Sequence, residues 1–589
     1  MTPFVDEDTL LGVMRAHAQQ RPDQEAVSLV LNVDSDLRKI LSYGQLDAAA
    51  RSVAGWLQAR FEPGERVLLL FPVGVDFVIA FLGCVYAGMI AVPAPLPGPQ
   101  RHERHRVRVI ATDACVCAIL TDADNNQASV FDWAAEINLA ECPCMVVGDL
   151  VAAAEPWVRP QVDAATLMLL QYTSGSSGDP KGVMLTHNNI LHNVRSFREA
   201  LGFDEHTRFG GWIPLFHDMG LMAQLLPALL MGSTCVLMTP GMFVARPLAW
   251  LRMIDRYDLH FSAAPNFAFE LCCRRVTDEQ MARLDLSRWK FAVNGSEPIQ
   301  APTLFEFAKR FASTGFRRET LRPCYGMAEA TVFVSGCGNR PPLIREVDAE
   351  ALAARRLEPP RDGAPTRELV SCGVPVGFDV RIIDPDTGAN APVGRLGEIW
   401  LRGNSVSQGY WRNLASTSAA FGAITSSCES GFLRTGDLGL LLDGEIFVCG
   451  RLKEMLIVRG RNLYPQDVEF ELRAQHPELA TRVGAVFGIQ DTAEEAVVVT
   501  HEVRGQPDEL ELAALAQDIR ATVFREFGAR AAGVSLLRSG SVLRTTSGKI
   551  QRNAMRDLFV AGKLPCLYES LDPTLLLLRQ ASAPSAECA

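Results

Sequence analysis

The sequence predicts a mixed α/β fold: a large N-terminal domain of mainly parallel βα sheets with a small β subdomain, followed by a smaller, mobile α+β domain. Short apolar runs alternate with stretches of helical periodicity over the first three quarters of the chain, which is typical of buried parallel strands and their crossover helices. The pattern changes after Gly450, and 589 residues are too many for one hydrophobic core. At least two domains are therefore expected.

The earliest elements are predicted to be buried strands joined by helices, such as RVLLLFPV at residues 66–73. The apolar stretch at residues 67–94 resembles a membrane span in length, but it is interrupted by Pro72, Gly74 and Gly88. A strand, an apolar helix and a second strand fit this pattern better. We therefore expect no stable membrane span.

The later elements are of two kinds. VRIIDPDTG at residues 380–388 and GRLGEIWLRG at residues 394–403 predict an antiparallel hairpin, and hence a small β subdomain. The helix-and-strand pattern that follows suits one compact α+β domain in length. The predicted boundaries are 1–452 for the N-terminal domain and 453–589 for the C-terminal domain.

The bulk composition excludes several classes of function. With 48% hydrophobic and 21% charged residues, the chain is an ordinary globular protein. Its formal charge of −11, from 57 basic and 68 acidic side chains, argues against a nucleic-acid partner. The first residues, MTPFVDEDTLLGVM, lack the basic start and apolar stretch of a secretory signal, so we expect a cytoplasmic protein.

The strongest local signal is YTSGSSGDPKGV at residues 172–183, directly after an apolar strand. Its glycines permit backbone turns that other residues resist, and its hydroxyls, amides and lysine are groups that bind a polyphosphate. It is not a Walker A loop, because Gly182 rather than Ser or Thr follows Lys181. The alternative is a flexible Gly/Ser linker, but linkers seldom follow a buried strand and precede a helix.

YTSGSSGDPKGV resembles the phosphate-binding signature of the adenylate-forming superfamily, which contains acyl-CoA synthetases, peptide-synthetase adenylation domains and luciferases. Other stretches resemble the remaining motifs of that superfamily in the same order: PLFHDMGL (214–221), NGSEP (294–298), PCYGMAEAT (323–331), LRTGDLG (433–439), GRLKE (450–454) and TSGKIQ (546–551). The resemblance implies a ligase that uses ATP and Mg²⁺ to convert a carboxylic acid into its acyl-adenylate.

The same resemblance assigns the nucleotide contacts. The phosphates of ATP are expected at Thr173, Ser174, Gly175, Ser176, Ser177, Gly178 and Lys181. The adenine is expected beside Gly295, Ser296, Glu297, Tyr325, Gly326 and Met327, with the ring of Tyr325 stacked on the base. Asp437 is expected to accept hydrogen bonds from the ribose hydroxyls, because an ionised carboxylate is a pure acceptor, and Arg451 is expected near the ribose and phosphate.

The remaining assignments concern catalysis and domain motion. Lys549 corresponds to the catalytic lysine of the superfamily, and His217 is expected between the α-phosphate and the acyl pocket. Glu329, together with Thr173, is expected to bind Mg²⁺, which uses few protein ligands when phosphates are present. Lys453 falls at the expected interdomain hinge. The alternative for each is a structural role, as a core histidine, a capping carboxylate or a solvated charge.

Three features resemble the fatty acyl-AMP ligases more than the acyl-CoA synthetases. They are HDMGLM followed by RPLAWLRMIDRYDLHFSAAPNFAFELC, the NGSEP turn, and a long segment at residues 336–375. That segment resembles an insertion that in this family packs against the N-terminal domain and hinders the CoA-dependent step; a variable surface loop is the alternative.

The resemblance to fatty acyl-AMP ligases also implies a substrate and a partner. The implied substrate is a fatty acid, and we expect a medium or long chain to be preferred because each buried CH₂ adds ~0.8 kcal/mol of affinity. We expect the phenylalanines and alanines of SAAPNFAFELC to line its pocket; the alternative is that these aromatic residues belong to the ordinary core. The acceptor is a separate holo acyl carrier protein, associated with a polyketide synthase or a peptide synthetase.

Three other functions stay open. A long-chain acyl-CoA synthetase shares the first half-reaction. A non-catalytic acyl-nucleotide-binding protein would be expected to have lost one of Lys181, Glu329, Asp437, Arg451 and Lys549, all of which are present. An amino-acid adenylation domain would need an acidic residue for the substrate ammonium, and the pocket segment has no clear candidate.

Overall fold

The computed structural model describes residues 7–98, 101–123, 127–136, 142–173, 180–458, 461–490, 495–505, 507–545 and 548–582. Its strands form two large, mainly parallel sheets, two sheets of four strands and two ribbons of two strands. The predicted α/β class is confirmed. Within these ranges, none of the helices combines the length and apolar character needed to cross a bilayer.

The first large sheet has six strands, in the order Cys144–Val146, Ala118–Thr121, Arg66–Leu70, Ile90–Ala94, Leu167–Thr173 and Lys181–Thr186. All pairs are parallel except the last. The predicted strand, helix and strand at residues 67–94 are confirmed, because helix Val75–Ala87 connects two neighbouring strands and buries every residue except Asp76.

The second large sheet has nine strands, in the order Val374–Pro375, Ser335–Gly336, Leu321–Tyr325, Phe291–Asn294, Phe261–Ala264, Phe209–Gly211, Cys235–Leu237, Glu25–Asn32 and Leu37–Ser42. The six strands from Leu321–Tyr325 to Glu25–Asn32 are parallel, and the outer strands are antiparallel. One large apolar core joins this sheet to the first one.

A smaller antiparallel sheet follows, in the order Asp379–Ile383, Gly397–Arg402, Leu433–Leu442 and Glu445–Arg451. The first two strands are the predicted hairpin, which is confirmed. The segment at residues 336–375 contains the ribbon Ile344–Asp348 and Thr366–Val370. Its apolar side chains, including Val347, Leu352 and Leu369, share a core with residues of this sheet.

The C-terminal region contains a ribbon, Leu456–Val458 with Arg461–Leu463, and a sheet in the order Gly484–Gln490, Glu495–Glu502, Ala531–Leu537 and Cys566–Leu571. Two apolar clusters in this region consist only of residues beyond 455, and neither shares a member with the large core. A separate core agrees with a second domain, but the boundary at 452/453 stays a prediction.

Helices alternate with these strands along the described chain. The α-helices are Leu10–Gln20, Tyr43–Gln58, Val75–Ala87, Arg101–Ala114, Gln127–Glu136, Val147–Ala153, His187–Leu201, Asp218–Gly220, Leu226–Met231, Pro240–Ala245, Leu248–Arg256, Asn266–Arg275, Asp278–Met281, Ala301–Arg310, Ala349–Ala353, Leu414–Ala420, Pro465–Gln475, Glu509–Phe527, Arg552–Val560 and Pro573–Ser582. Leu221–Leu225 is a π-helix, and Ala312–Thr314, Arg318–Thr320 and Ala328–Ala330 are 3₁₀ turns.

Candidate active site

The carboxyl ends of four neighbouring parallel strands meet at one edge of the nine-stranded sheet. The strands are Leu321–Tyr325, Phe291–Asn294, Phe261–Ala264 and Phe209–Gly211. Three of them lead into the motifs PCYGMAEAT, NGSEP and PLFHDMGL. Ligands of open parallel sheets bind in the crevice outside such ends, and here the crevice opens into a cleft of about 2720 Å³.

All predicted site residues in the described part of the chain line this cleft. They are Thr173, Lys181, His217, Gly295, Ser296, Glu297, Tyr325, Gly326, Met327, Glu329, Asp437, Arg451, Lys453 and Lys549. Ser174, Gly175, Ser176, Ser177 and Gly178, the centre of the predicted phosphate loop, lie outside the described residues. The fold therefore brings together motifs that are far apart in the sequence.

The element after the phosphate loop differs from the prediction. Lys181–Thr186 folds back as a strand antiparallel to Leu167–Thr173, with Thr173 opposite Lys181. Helix His187–Leu201 begins only after this second strand. A helix does follow the loop, as predicted, but the hairpin strand between the loop and the helix was not predicted. The hairpin holds the last residue before the loop and the lysine after it side by side.

The Asp437 carboxylate accepts hydrogen bonds from two other residues of the cleft. Its Oδ2 accepts from the hydroxyl of Tyr325 at 2.7 Å, and its Oδ1 accepts from Nε of Arg451 at 3.1 Å. The Arg451 contact follows from sheet register, because the two residues face each other on adjacent antiparallel strands. Asp437 is only 5% exposed, and its carboxylate raises the pKa of Arg451. The motifs do not predict the hydrogen bond between Tyr325 and Asp437.

His217 is paired with Asp218, a member of the PLFHDMGL motif that was not among the predicted site residues. Its Nδ1 lies 2.7 Å from Oδ1 of Asp218, which also accepts from the backbone N–H of Met219 at 2.7 Å. Burial opposes ionisation of Asp218, but the charge and hydrogen bond of His217, together with the charge of Lys549, hold the pKa of Asp218 at about 2. Asp218 thus fixes the His217 ring and adds negative charge near Lys549.

Lys549 reaches the cleft on a tight turn from the C-terminal region. The backbone N–H of Thr545 donates to the Lys549 carbonyl at 2.7 Å, and the Lys549 N–H donates to Oγ1 of Thr545 at 3.0 Å. Gly548 has a φ of 88° and lies so near Phe267 that a Cβ atom would be 3.1 Å from Cε1 of that ring. Glycine is therefore needed where the turn meets helix Asn266–Arg275.

Glu297 faces this turn from the NGSEP motif. Its Oε1 accepts from the backbone N–H of Phe267 at 2.6 Å. Burial raises the pKa of Glu297 to about 7, although that hydrogen bond and the charges of Arg473 and Lys549 act in the opposite direction. The pKa of Lys549 is lowered by burial and then by the charge of Arg451. Both groups are therefore sensitive to an anion that enters the cleft.

Glu329 and Lys181 are linked by a residue that the motifs did not indicate. The hydroxyl of Tyr410 donates to Oε1 of Glu329 at 2.8 Å, and Nζ of Lys181 lies 5.1 Å from the centre of the Tyr410 ring. Burial raises the pKa of Glu329, whereas the Tyr410 hydrogen bond lowers it. The only sequence signal for Tyr410 is an aromatic pair, Tyr-Trp, after a glycine.

One wall of the cleft is apolar. Trp212 and Phe267 line it, and the ring of Trp212 stacks on Phe243 with centres 4.1 Å apart. The expectation that both phenylalanines of SAAPNFAFELC line the pocket was wrong for Phe269, which is fully buried against Trp250. Residues two apart on a helix point to different faces, so Phe267 and Phe269 cannot share one wall. Trp212 was not predicted.

The segment at residues 336–375 contacts the C-terminal region across the predicted hinge. Nη1 of Arg367 lies 2.9 Å from Oδ2 of Asp467, and its guanidinium lies 4.9 Å from the centre of the Tyr464 ring. Lys453 is exposed in the turn between the two regions. The segment is therefore in contact with both sides of the predicted boundary.

Comparison with known proteins gives consistent relatives. A family model described as AMP-binding enzyme matches residues 14–411. The chain is 39% identical over 570 residues to the medium-chain-fatty-acid–acyl-carrier-protein ligase of Moorena producens, covering 94% of this chain and 96% of that protein. It is 36% identical over 575 residues to the long-chain-fatty-acid–AMP ligase of Mycobacterium marinum, covering 93% and 97%.

A solved structure is also similar along nearly the whole chain. It is the fatty acyl-adenylate ligase from L. pneumophila in complex with acyl adenylate and pyrophosphate, with a TM-score of 0.75 and 32% identity. The alignment covers 97% of this chain and 99% of that one.

Proposed function

The chain belongs to the AMP-binding enzyme family and, within it, to the fatty acyl-AMP ligases, and we propose on this premise that it activates a medium- or long-chain fatty acid as its acyl-adenylate. The observation that carries the proposal is the meeting of Lys549 with Asp437, His217 and Glu329 in one cleft. A carboxylate and a nucleoside triphosphate that react with each other need charged and hydrogen-bonding groups close to the reacting atoms.

The reaction needs positioning more than proton transfer. A fatty acid has a pKa near ~4–5 and is ionised at neutral pH, so no general base is required. Its oxygen forms a bond to the α-phosphorus of ATP, while the bond from that phosphorus to the bridging oxygen breaks and pyrophosphate leaves. Lys549 stabilises the negative charge that builds up on the α-phosphate and holds the carboxylate in line.

The nucleoside part of ATP is held by the Asp437 group. The two oxygens of Asp437 already accept one hydrogen bond each, from Tyr325 and Arg451, and each keeps a lone pair for a ribose hydroxyl. Gly295, Ser296, Glu297, Gly326 and Met327 border the adenine in this proposal. His217, oriented by Asp218, lies between the α-phosphate and the apolar wall.

The phosphates lie beside the hairpin of Leu167–Thr173 and Lys181–Thr186. Lys181 binds the leaving pyrophosphate, and Glu329 and Thr173 provide the oxygen ligands that fit Mg²⁺ bound to phosphates. The half-buried Glu329 carboxylate suits such an ion, because burial disfavours its charge until a cation is present. Mg²⁺, when bound, neutralises charge on the pyrophosphate. The remaining phosphate-loop residues, 174–178, keep the roles predicted for them.

The acceptor in the second step is proposed to be the phosphopantetheine thiol of a separate acyl carrier protein, associated with a polyketide synthase or a peptide synthetase. One finding supports this proposal: a relative with 39% identity is named as a ligase of a medium-chain fatty acid and an acyl carrier protein.

Whether the acyl-adenylate reacts with CoA or with a carrier protein tests this proposal. The protein is incubated with ATP, Mg²⁺ and fatty acids of graded length, and then with either CoA or a holo acyl carrier protein. We expect acyl-AMP that persists with CoA and is consumed by the carrier. Rapid formation of acyl-CoA would instead identify a long-chain acyl-CoA synthetase, and nucleotide binding without acyl-AMP would identify a non-catalytic binding protein.

A further inference from the structure

Tyr410 lies on a segment that joins the Glu329 turn to the Lys181 strand. On one side, the N–H of Ser407 donates to the Glu329 carbonyl at 2.9 Å. On the other side, the N–H of Trp411 donates to the Gly182 carbonyl at 2.8 Å, one residue after Lys181. The segment is thus hydrogen-bonded to both elements that carry phosphate-side residues.

The side chain of Tyr410 makes the same connection inside the cleft. Its hydroxyl donates to Oε1 of Glu329 at 2.8 Å, while Nζ of Lys181 lies 5.1 Å from the ring centre. Edge-to-face packing on Phe421, with ring centres 5.3 Å apart, fixes the plane of the tyrosine ring. The N–H of Tyr410 donates to Oγ1 of Thr417 at 3.0 Å and fixes its backbone. Tyr410 is therefore a rigid support.

The two ends of this side chain act on groups of opposite charge. A carboxylate that accepts one hydrogen bond keeps lone pairs for a further ligand, so the hydroxyl orients Glu329 without blocking it. A ring face attracts an ammonium group but uses none of its three hydrogen-bond donors, so Lys181 remains able to bind phosphate. One tyrosine can therefore set the distance between the Glu329 carboxylate and the Lys181 ammonium before ATP binds.

We propose that Tyr410 is a positioning residue for the triphosphate: its hydroxyl sets the Glu329 carboxylate and its ring face sets the Lys181 ammonium. This inference rests on the proposed function, because it takes Glu329 and Lys181 as phosphate-side ligands. If the inference is correct, the Tyr410 hydroxyl and the Tyr410 ring contribute to the binding of different parts of the Mg²⁺–ATP complex. The hydroxyl supports binding that involves the metal, and the ring supports binding of the β- and γ-phosphates themselves.

Calorimetric titrations with two variants separate these contributions. Tyr410→Phe keeps the ring and removes the hydroxyl, so ATP with Mg²⁺ should bind about tenfold more weakly, as expected for one charge-assisted hydrogen bond, while ATP in EDTA and AMP stay within about twofold. Tyr410→Leu also removes the ring, so ATP in EDTA should weaken as well, by about threefold, with AMP again unchanged.

The matched control is Tyr86→Phe. Tyr86 also donates to a buried carboxylate, Asp47 at 3.0 Å, but neither residue lines the cleft, so all three affinities should be unchanged. In a Glu329→Gln background, Tyr410→Phe should have less than about a twofold effect, because its partner has already lost its charge.

Two results would overturn the inference. One is unchanged binding of ATP with Mg²⁺ by Tyr410→Phe, and the other is an equal loss for AMP and ATP, which would indicate a general structural role. These binding constants decide the role of Tyr410 even if the wild-type protein forms no acyl-AMP from any fatty acid, a result that would refute the proposed function by itself.

Discussion

Replacing Arg552 by methionine tests how the turn that carries Lys549 is held in place. Nε and Nη2 of Arg552 bind the two oxygens of Glu469 at 2.8 and 2.6 Å, and Nη1 binds Oε2 of Glu454 at 2.7 Å. The side chains of Arg552 and Glu469 are 13% and 5% exposed. Arg552 also begins helix Arg552–Val560, three residues after Lys549. Its loss should loosen both the helix and the turn.

The magnitude follows from the burial of the pair. Breaking a buried ion pair by removing one partner destabilises a protein by about 3–5 kcal/mol. Glu469 would keep one hydrogen bond, from the N–H of Val486 at 2.9 Å, so we expect the lower end of that range, about 3 kcal/mol. Adding Glu469→Leu to the Arg552→Met variant should restore part of the lost stability, because no unpaired charge then stays buried.

Hydrogen exchange measured by mass spectrometry is the suitable assay. All eight tryptophans precede residue 453, so tryptophan fluorescence would not report directly on this region. A loss of about 3 kcal/mol should speed exchange in helix Arg552–Val560 about 100-fold. Arg556→Met is the matched control, because Arg556 lies one turn later and pairs with Asp557 where both side chains are exposed. An effect of Arg552→Met within about 1 kcal/mol of that control would show that the buried ion pair does not hold this helix and turn in place.

Three further predictions concern the cleft itself. Lys549→Ala should lower fatty-acid-dependent ATP–pyrophosphate exchange by about 10²–10³-fold with the fold intact, and an unchanged rate would contradict its assignment. Glu297 has a pKa raised from 4.5 to about 7, so its contribution to stability is present below pH 4.5 and lost as the pH rises through about 7, by at most about 3 kcal/mol. As the pH rises from 4.5 to about 7, the thermal midpoint of the wild type should fall relative to that of Glu297→Gln. A constant difference between the two midpoints over this pH range would contradict the prediction. Asp437→Asn should weaken ATP binding by about tenfold or more, and the difference should vanish with 2′,3′-dideoxy-ATP; a persistent difference would place the effect outside the ribose contact.

The sequence was a good guide where a motif fixes residue type and local backbone together. The strand–helix–strand unit at residues 67–94 was recognised because glycine and proline interrupt an apolar run, and the structure has a helix capped by Gly88 there. The motif residues were recognised because their order is that of a known family. All of those in the described ranges line one cleft, although their individual roles stay predictions.

The misses are contacts between residues that are far apart in the sequence. Tyr410 is 81 residues from Glu329, and the pair forms only because separate sheets meet at the cleft. The strand Lys181–Thr186 was not predicted, because the glycine-rich loop before it was not recognised as the connection of a hairpin with the previous strand. The error about Phe269 was avoidable, since helical periodicity puts it on the opposite face from Phe267.

Detection of the acyl-adenylate itself is the measurement that bears most closely on the proposed function. Purified protein is mixed with α-labelled ATP, Mg²⁺ and a series of fatty acids, without CoA or carrier, and the products are separated. We expect labelled acyl-AMP and an equal amount of pyrophosphate, with both products formed about 10²–10³-fold more slowly by Lys549→Ala. ATP turnover that releases free AMP or ADP with every acid, and no acyl-AMP with any of them, would contradict the proposed function.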